Sequence, residues 1–234
     1  MEIARTASLS PGETAAEVVG LSIKRGGKIL FKNMTWSLSA GRMLAVTGPS
    51  GSGKSSLLAC LRGQIEPADG QTAVMASGRC GVGTVFQHLR LTQEASVLTN
   101  VLSGSLGAYP WWKTLLGFSQ NENRRAFSYI NELGLAPLIH KPVKNISGGE
   151  QQRTAIARLL MQDPTLILID EPTSDLDAEL ARQVLSLFSS LCTQRAKAVV
   201  AVLHDTDLVK SFADRELVIH PDFENGWALR TITG

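Results

Sequence analysis

The stretch GPSGSGKS, from Gly48 to Ser55, constrains the fold of this chain more than any other feature. It follows a short apolar run, Met43–Thr47, and precedes a helix predicted over Lys54–Leu61. Strand, loop and helix in this order fit G-x-x-x-x-G-K-[ST], the pattern of a phosphate-binding P-loop. Its glycines let backbone N–H groups turn inward around phosphates, and the helix N-terminus adds positive potential. We expect Lys54 to reach the β- and γ-phosphates and Ser55 to ligate Mg²⁺.

Two later apolar runs resemble the strand before the P-loop. They are Thr165–Ile169 (TLILI) and 198–203 (AVVAVL). Near-continuous apolar strands are typical of a parallel sheet that is covered on both faces. Between them, residues 177–192 carry an apolar stripe with helical spacing, which predicts a βαβ unit. The sequence therefore predicts an α/β fold.

The chain before and between these runs has a different character. Residues 1–13 read as a flexible lead-in, and residues 14–234 as one domain. Short strand-like pieces over 17–38, with turn signals at 25–27 and 32–33, predict a small antiparallel sheet. The region after Gln87 is more polar and predicts helices, including one over 122–133, so we interpret about 88–160 as an inserted helical subdomain.

An acidic pair, Asp170–Glu171, follows the TLILI strand. Ligands of open α/β sheets bind beyond the carboxyl ends of the strands, so both carboxylates are expected beside the nucleotide. Adjacent strand residues point to opposite sides, which allows two roles. Asp170 would hold Mg²⁺, and Glu171 would orient and polarise the attacking water.

Three further polar residues are weaker signals one by one. Gln87 ends a strand-like piece, His204 follows AVVAVL, and Asp175 lies in TSDLD just after the acidic pair. A lone Gln or His at a strand end is more often structural. Because these two follow successive strands of one P-loop sheet, we predict that they act at the nucleotide site.

The stretch ISGGEQQR, Ile146–Arg153, contains a second pair of glycines. Ser147 and Glu150 fit the S-x-x-E capping box that starts a helix over 151–161. The box does not explain Gly148 and Gly149, which weaken a helix by about 1 kcal/mol each. Glycine is useful where another group must approach the backbone, and a helix N-terminus is a ready anion site. Since the P-loop already serves this chain's own nucleotide, the second motif is predicted to face the nucleotide of another molecule.

Together these motifs resemble the nucleotide-binding subunits of ABC transporters over about residues 18–217. The resemblance implies a P-loop ATPase of ABC type, with a mixed core sheet, an N-terminal antiparallel subdomain and a helical subdomain. It implies that Gln87 is the Q-loop residue and also touches Mg²⁺, that Asp175 lies in the D-loop, and that His204 is the switch histidine. ISGGEQQR matches the family signature, through which two subunits packed head to tail complete each other's ATP sites. The residues carried over to nucleotide binding are Gly48, Pro49, Ser50, Gly51, Ser52, Gly53, Lys54, Ser55, Ser56, Arg25, Ser147, Gly148, Gly149, Glu150 and Asp175.

The sequence departs from the family pattern at several positions. Arg25 stands where an aromatic residue usually stacks on adenine; its guanidinium plane could stack instead. Ile146 and Glu150 replace the commoner leucine and glutamine of the signature.

The segment 96–122 resembles the helical subdomain of phosphonate importer ATPases, including the aromatic pair Trp111–Trp112. This implies an ATPase on the cytoplasmic face of a bacterial inner membrane. Its partners would be a second ATPase subunit, transmembrane permease subunits and, indirectly, a periplasmic binding protein. Alternatives are another cargo, such as an amino acid or a released lipoprotein, or a non-transport ABC protein that scaffolds phosphonate metabolism.

Composition agrees with this location and argues against other partners. With 23 basic and 21 acidic residues the formal net charge is +2, which gives no support for binding nucleic acid. The N-terminus lacks an apolar core of signal-peptide length, and no apolar run approaches the roughly 20 residues of a membrane helix. The three scattered cysteines fit a reducing compartment.

Overall fold

The computed structural model describes residues 9–75, 80–85, 89–108, 117–171 and 178–232. The chain divides into two compact units, one formed by residues 1–87 and 165–234 and the other by residues 88–164. The strands among the described residues are β1 (Thr14–Arg25), β2 (Lys28–Ser39), β3 (Met43–Thr47), β4 (Asp69–Val74), β5 (Cys80–Val85), β6 (Pro164–Ile169), β7 (Ala198–Val202), β8 (Arg215–Ile219) and β9 (Trp227–Thr231). The helices are α1 (Lys54–Leu61), α2 (Val97–Ser103), α3 (Gln120–Glu132), α4 (Gly148–Gln162), α5 (Ala178–Arg195) and α6 (Thr206–Phe212).

The first sheet of the first unit is antiparallel, in the order β2-β1-β4. The predicted antiparallel sheet is thus confirmed, but the predicted turn at 32–33 is wrong, because β2 runs straight through it. Asn33 has a left-handed backbone conformation (φ 50°) and lies at a shift in the pairing register between β1 and β2, so the strand continues past it. Its N–H donates to Ser22 Oγ at 3.0 Å. The third strand, β4, was not predicted. It approaches β1 so closely that a Cβ on Gly70 would lie 2.3 Å from the Gly20 carbonyl carbon.

The second sheet has the order β5-β6-β7-β3-β8-β9. The three predicted apolar strands β6, β7 and β3 are confirmed as parallel neighbours, with Ile169 opposite Ala201 and Val46 opposite Val202. Every residue of β6 and β7 is buried. In this register the carboxyl ends of all three strands reach one edge of the sheet, and the P-loop, the acidic pair and His204 follow them there.

The second unit is helical. The three α-helices among its described residues each begin at a serine N-cap, and the starts of α3 and α4 are capping boxes. The helices predicted over 122–133 and 151–161 are both present, each starting a turn or less earlier than predicted. Short 3-10 turns occupy Leu106–Ala108, Ala136–Leu138 and Val143–Asn145.

Two of the cysteines, Cys60 and Cys192, are free and buried in the first unit. Burial, with repulsion from Asp214, raises the pKa of the Cys192 thiol to about 12. Among the described residues, no helix combines the length and apolar character that crossing a bilayer requires.

Candidate nucleotide site

The P-loop conformation depends on its glycines. Gly48, Gly51 and Gly53 have φ values of 137°, 76° and 112°, which side chains strongly disfavour. A Cβ on Gly48 would also lie 2.1 Å from the Ile219 carbonyl oxygen of β8. Gly53 is the N-cap of α1, so the loop delivers the chain directly into the helix whose first residue is Lys54.

Lys54 is buried inside this loop, with 5% of its surface exposed. Its Nζ donates to the carbonyl oxygens of Gly48 at 2.8 Å and Pro49 at 3.0 Å, so the ammonium is held against the start of the loop. Burial lowers the pKa of Lys54, and the negative charges of Glu171 and Asp170 oppose that shift. A buried cation at this position is suited to bind phosphate oxygens.

A cavity of about 190 Å³ opens over the loop. It is lined by Arg25, Leu30, Ser50, Gly51, Gly53, Lys54, Ser55, Ser56 and Glu171. The structure therefore brings the P-loop together with two residues that are distant in sequence, Arg25 at the end of β1 and Glu171 after β6. The sequence did not predict that Leu30 lines this cavity. Leu30 reaches it because β2 lies close to the P-loop.

Asp170 directly follows β6, and its carboxylate accepts a hydrogen bond from the hydroxyl of Ser55, which lines the cavity. Burial and the charge of Glu171 raise the pKa of Asp170, while Arg62, Lys54 and the Ser55 hydrogen bond oppose the shift. Arg62, at the C-cap of α1, was not predicted to influence this carboxylate.

Ser55 and Asp170 fit a magnesium ion. Hydroxyl and carboxylate oxygens are the hard donors that Mg²⁺ prefers, and the ion usually takes one or two carboxylates together with substrate phosphates and water. Within the part of the chain that the structure describes, no group of three or more His, Cys, Asp and Glu side chains could hold a metal ion. When bound, Mg²⁺ would neutralise charge on the phosphates.

The predicted role of Glu171 assumed that the strand continues through this residue, but it does not. β6 ends at Ile169, and Glu171 takes a left-handed conformation with φ 50°, which is uncommon for a non-glycine residue. The strand alternation that we used to separate the roles of Asp170 and Glu171 is therefore wrong at this point. The turn instead directs Glu171 to His204, whose Nε2 lies 2.8 Å from Glu171 Oε1.

Two larger cavities flank the one over the P-loop. One, of about 340 Å³, is lined by Ile23, Lys24, Arg25, Ser55, Ser56, Ala59, Ile65 and Glu66. The other, of about 400 Å³, lies beside Pro49–Ser52 and is also lined by β2 and the β8–β9 turn. Each shares lining residues with the 190 Å³ cavity over the P-loop, so either could receive the sugar and base of a nucleotide whose phosphates lie in that loop.

The second glycine motif starts α4 in the helical unit. Ser147 is the N-cap: its Oγ accepts from Glu150 N–H at 3.4 Å, and its own N–H donates to Glu150 Oε2 at 2.7 Å. Hydrogen bonds that the backbone N–H and the side chain of Ser147 donate to the Glu150 carboxylate hold the pKa of Glu150 below its ordinary value. Gly148 is exposed, has an ordinary φ, and would meet nothing within 4 Å if it carried a Cβ. Neither the backbone conformation nor packing against the described residues requires glycine there.

Four residues named from the sequence lie outside the described part of the chain: Gln87, Asp175, Trp111 and Trp112. Their predicted roles stay predictions.

The family model for the ABC transporter matches residues 31–174, which include the P-loop, the ISGGEQQR motif and the acidic pair. The chain belongs to the ABC transporter family. Among ABC proteins, it is 35% identical to the phosphonates import ATP-binding protein PhnC of Wolinella succinogenes, over 82% of this chain and 74% of that protein. It is 36% identical to the hypophosphite import ATP-binding protein HtxD of Stutzerimonas stutzeri, over 87% of this chain and 63% of that protein.

Solved ABC structures share the fold. A metal-chelate type ABC transporter in an inward-facing conformation matches 94% of this chain and 84% of its own, with a TM-score of 0.83 and 28% identity. The dimeric ABC cassette MJ0796, bound to ADP and Pi, matches 94% of this chain and 99% of its own, with a TM-score of 0.74 and 26% identity. The predicted α/β fold of ABC type is thus confirmed.

Proposed function

We propose that this chain is the ATP-hydrolysing subunit of an importer for phosphonates or related reduced-phosphorus anions. The observation that carries the ATPase assignment is the Glu171–His204 pair at the edge of the P-loop cavity. A P-loop alone only binds nucleotide. A carboxylate oriented by an imidazole beside it supplies a group that can act on water.

The phosphates would lie in the P-loop. Backbone N–H groups of residues 50–56 would surround them, Lys54 would contact the β- and γ-phosphates, and Ser55 and Asp170 would hold Mg²⁺. The position of the lysine gives the nucleotide a direction. Because its Nζ lies against Gly48 and Pro49, the γ-phosphate belongs at that end of the loop and the α-phosphate near Ser56.

Hydrolysis would begin when a water is oriented by the Glu171 carboxylate in line with the γ-phosphate. The water oxygen attacks phosphorus and gives its proton to the Glu171 carboxylate, the bond from phosphorus to the bridging oxygen breaks with its electron pair going to ADP, and the proton leaves with the phosphate product. His204 keeps Glu171 in place through the 2.8 Å hydrogen bond. Gln87 would contact the metal and the attacking water.

The base would occupy the cavity on the Ser55–Ser56 side. The direction inferred from Lys54 supports a nucleoside that points away from Pro49, and therefore toward the 340 Å³ cavity rather than the 400 Å³ cavity. There the Arg25 guanidinium offers a flat cation for stacking, and Ile65, which is 39% exposed, offers an apolar surface.

A second copy would complete the site. No described residue of its own chain requires glycine at position 148, which supports an approach by a group from another molecule. That group would be the γ-phosphate in the partner's P-loop, bound by Ser147, Gly148, Gly149 and the start of α4, with Asp175 contributing at the same interface. Dimeric structures of the related cassette MJ0796 support this arrangement.

Transport requires membrane partners. We propose that the helical unit, residues 88–164, serves as the helical subdomain that docks on a permease at the cytoplasmic face of the inner membrane, and that a periplasmic binding protein delivers the anion. The relatives named for phosphonate and hypophosphite import support this choice of cargo. The cargo itself is selected by the partner subunits.

Gene deletion with complementation tests the cargo. The deletion strain should grow on phosphate but not on methylphosphonate, phosphite or hypophosphite, whichever the importer carries, as sole phosphorus source. Radiolabelled uptake should return with the native gene and stay absent with Glu171→Gln. Uptake of all three anions at the parental rate, in a strain without a second importer, would contradict the proposed cargo and leave the ATPase proposal standing.

A further inference from the structure

The cavity of about 400 Å³ beside the P-loop has no part in the proposed ATP site. Its walls are Pro49–Ser52, strand β2 and the turn between β8 and β9. Its volume falls within the range of small-molecule sites, which is about 300–1,000 Å³. Because the direction inferred for the nucleotide leads away from Pro49, neither the phosphates nor the base of ATP is assigned to this cavity.

The two outer walls of the cavity are fixed to one another. The Lys32 N–H donates to the Asn225 carbonyl at 3.0 Å, and Trp227 Nε1 donates to the Lys32 carbonyl at 3.1 Å. Gly226 has a φ of 78°, and a Cβ on it would lie 2.7 Å from the Leu30 carbonyl oxygen. Glycine is therefore needed for the turn to lie this close to β2. The cavity is part of the folded chain and does not need a ligand in order to form.

Much of the lining is apolar. Ile29 is 58% exposed, the highest value among the large apolar side chains of the described residues. Phe223 is half-buried in the turn, and Phe31 is buried in β2. Leu30 and Pro221 complete this surface. Covering it removes apolar area from water, which favours a ligand with an apolar body.

The polar part of the lining is mainly cationic. Lys28 and Lys32 lie four positions apart on β2, and both are exposed. Neither forms a salt bridge with a described residue, and the side-chain amide of Asn225 forms no hydrogen bond with one. Two ammonium groups face one carboxylate in the lining, that of Glu224, so the cavity favours an anion.

We propose that this cavity binds an organic anion, a ligand with an oxyanion head group on an apolar body, and that the bound anion opposes the binding of ATP. Lys28 and Lys32 bind the head group. Ile29 and Phe223 pack against the body. The combination of an apolar surface with a few polar groups is typical of small-molecule sites, and here the polar groups select negative charge.

The effect on ATP follows from the position of the cavity. It shares Leu30, Ser50 and Gly51 with the cavity over the P-loop, and it includes Pro49, the end of the loop to which the γ-phosphate is assigned. Two anions this close repel each other. This step rests on the proposed function, whereas the binding site itself does not. Organic phosphonates, the proposed cargo, belong to the same class of anion, so accumulated cargo would restrain ATP binding.

The first test measures the binding of phenylphosphonate to the purified chain by calorimetry, with inorganic tripolyphosphate filling the P-loop. Lys28→Gln and Lys32→Gln should each weaken binding about two- to fivefold, the size expected for exposed ion pairs. The control is Lys24→Gln, because this exposed lysine lines the 340 Å³ cavity instead. Inorganic phosphate, which lacks the ring, should bind at least about tenfold more weakly. An equal loss in the control, or equal binding of phosphate and phenylphosphonate, would overturn the proposed site.

The second test uses the same substitution in two cavities. Ile29→Asp removes apolar surface and adds a negative charge, so it should abolish most phenylphosphonate binding and leave ATP binding unchanged. Ile65→Asp, in the 340 Å³ cavity, should leave phenylphosphonate binding unchanged. Both side chains are exposed, so both variants should keep the native melting temperature. If Ile29→Asp weakens ATP binding without any added anion, the cavity holds part of the nucleotide and the proposal is wrong, while the ATPase proposal stands.

The third test measures the antagonism. Saturating phenylphosphonate should raise the Kd for labelled ATP by about fivefold and then no further, because the two ligands occupy different cavities. ATP should weaken phenylphosphonate binding by the same factor, since coupling between two sites is reciprocal. A Kd that rises without limit would show that phenylphosphonate competes inside the P-loop, and an unchanged Kd would rule out the antagonism. Failure of the native chain to bind ATP when no anion is added would instead contradict the proposed function.

Discussion

His204 Nε2 lies 2.8 Å from Glu171 Oε1, although 33 positions separate the two residues in sequence. The contact exists because β6 and β7 are parallel neighbours whose carboxyl ends meet at one edge of the sheet. Glu171 reaches it through a left-handed turn immediately after the strand. The hydrogen bond joins the carboxylate that we propose orients the attacking water to the imidazole that we propose keeps this carboxylate in place.

Replacing the carboxylate should separate hydrolysis from binding. Glu171→Gln keeps the shape of the side chain but removes its charge, so we expect hydrolysis to fall by roughly 10²–10⁴-fold while ATP still binds. His204→Ala should lower hydrolysis less, because it removes only the orienting hydrogen bond. Turnover in the assembled transporter and equilibrium binding of labelled ATP measure the two effects. Near-native turnover of Glu171→Gln would exclude Glu171 from this role.

Alanine substitution in the two glycine motifs should affect the stability of the protein differently, although both substitutions should impair ATP hydrolysis. Gly48→Ala places a Cβ 2.1 Å from the Ile219 carbonyl at φ 137°, so we expect a lower melting temperature and loss of ATP binding. Gly148→Ala meets nothing, and alanine favours a helix, so stability should be unchanged or rise by up to about 1 kcal/mol. Hydrolysis should nevertheless fall, since the methyl group would obstruct the partner's phosphate. Native hydrolysis by a stable Gly148→Ala variant would remove the main support for that approach.

Mixed dimers test whether the site is shared between copies. With Lys54→Ala in one subunit and Ser147→Arg in the other, both changes fall in the same composite site and the second site stays intact. With both changes in one subunit, each site carries one defect. We expect about half of native hydrolysis from the first arrangement and much less from the second, provided that the sites work independently. Equal activity and equal nucleotide occupancy in the two arrangements would rule out shared sites.

Inorganic tripolyphosphate separates base recognition from phosphate recognition. Arg25→Ala should weaken ATP binding by roughly two- to fivefold, the size expected for an exposed cation–π contact, and leave tripolyphosphate binding unchanged. Ile65→Asp should act similarly, whereas Ile29→Asp, in the cavity on the other side of the loop, should not. If Arg25→Ala weakens both ligands equally, Arg25 acts on phosphates instead. If only Ile29→Asp affects ATP, the base lies in the other cavity.

Local patterns were sufficient to predict much of the fold. β3, α1, β6 and β7 were predicted within one residue, because short apolar runs bounded by polar residues and a P-loop have few alternative structures. The turn at 32–33 failed for the opposite reason. Lys32 and Asn33 have local turn chemistry, but pairing with β1 outweighs it, and a left-handed Asn33 lets the strand continue. β4 was missed because Asp69–Val74 is mostly polar and mostly exposed, and becomes a strand only by pairing with β1.

The sequence by itself determined the P-loop, the capping box at Ser147 and Glu150, and the apolar strands, because each depends on residues a few positions apart. Tertiary structure alone decided which distant groups meet. It directed Glu171 to His204, placed Leu30 beside the P-loop, packed the Ile219 carbonyl against Gly48, and joined the β8–β9 turn to β2 around the 400 Å³ cavity. The physical reason is that such contacts depend on strand order, on a left-handed turn and on the close packing of a turn against a strand, none of which leaves a periodic pattern in the chain.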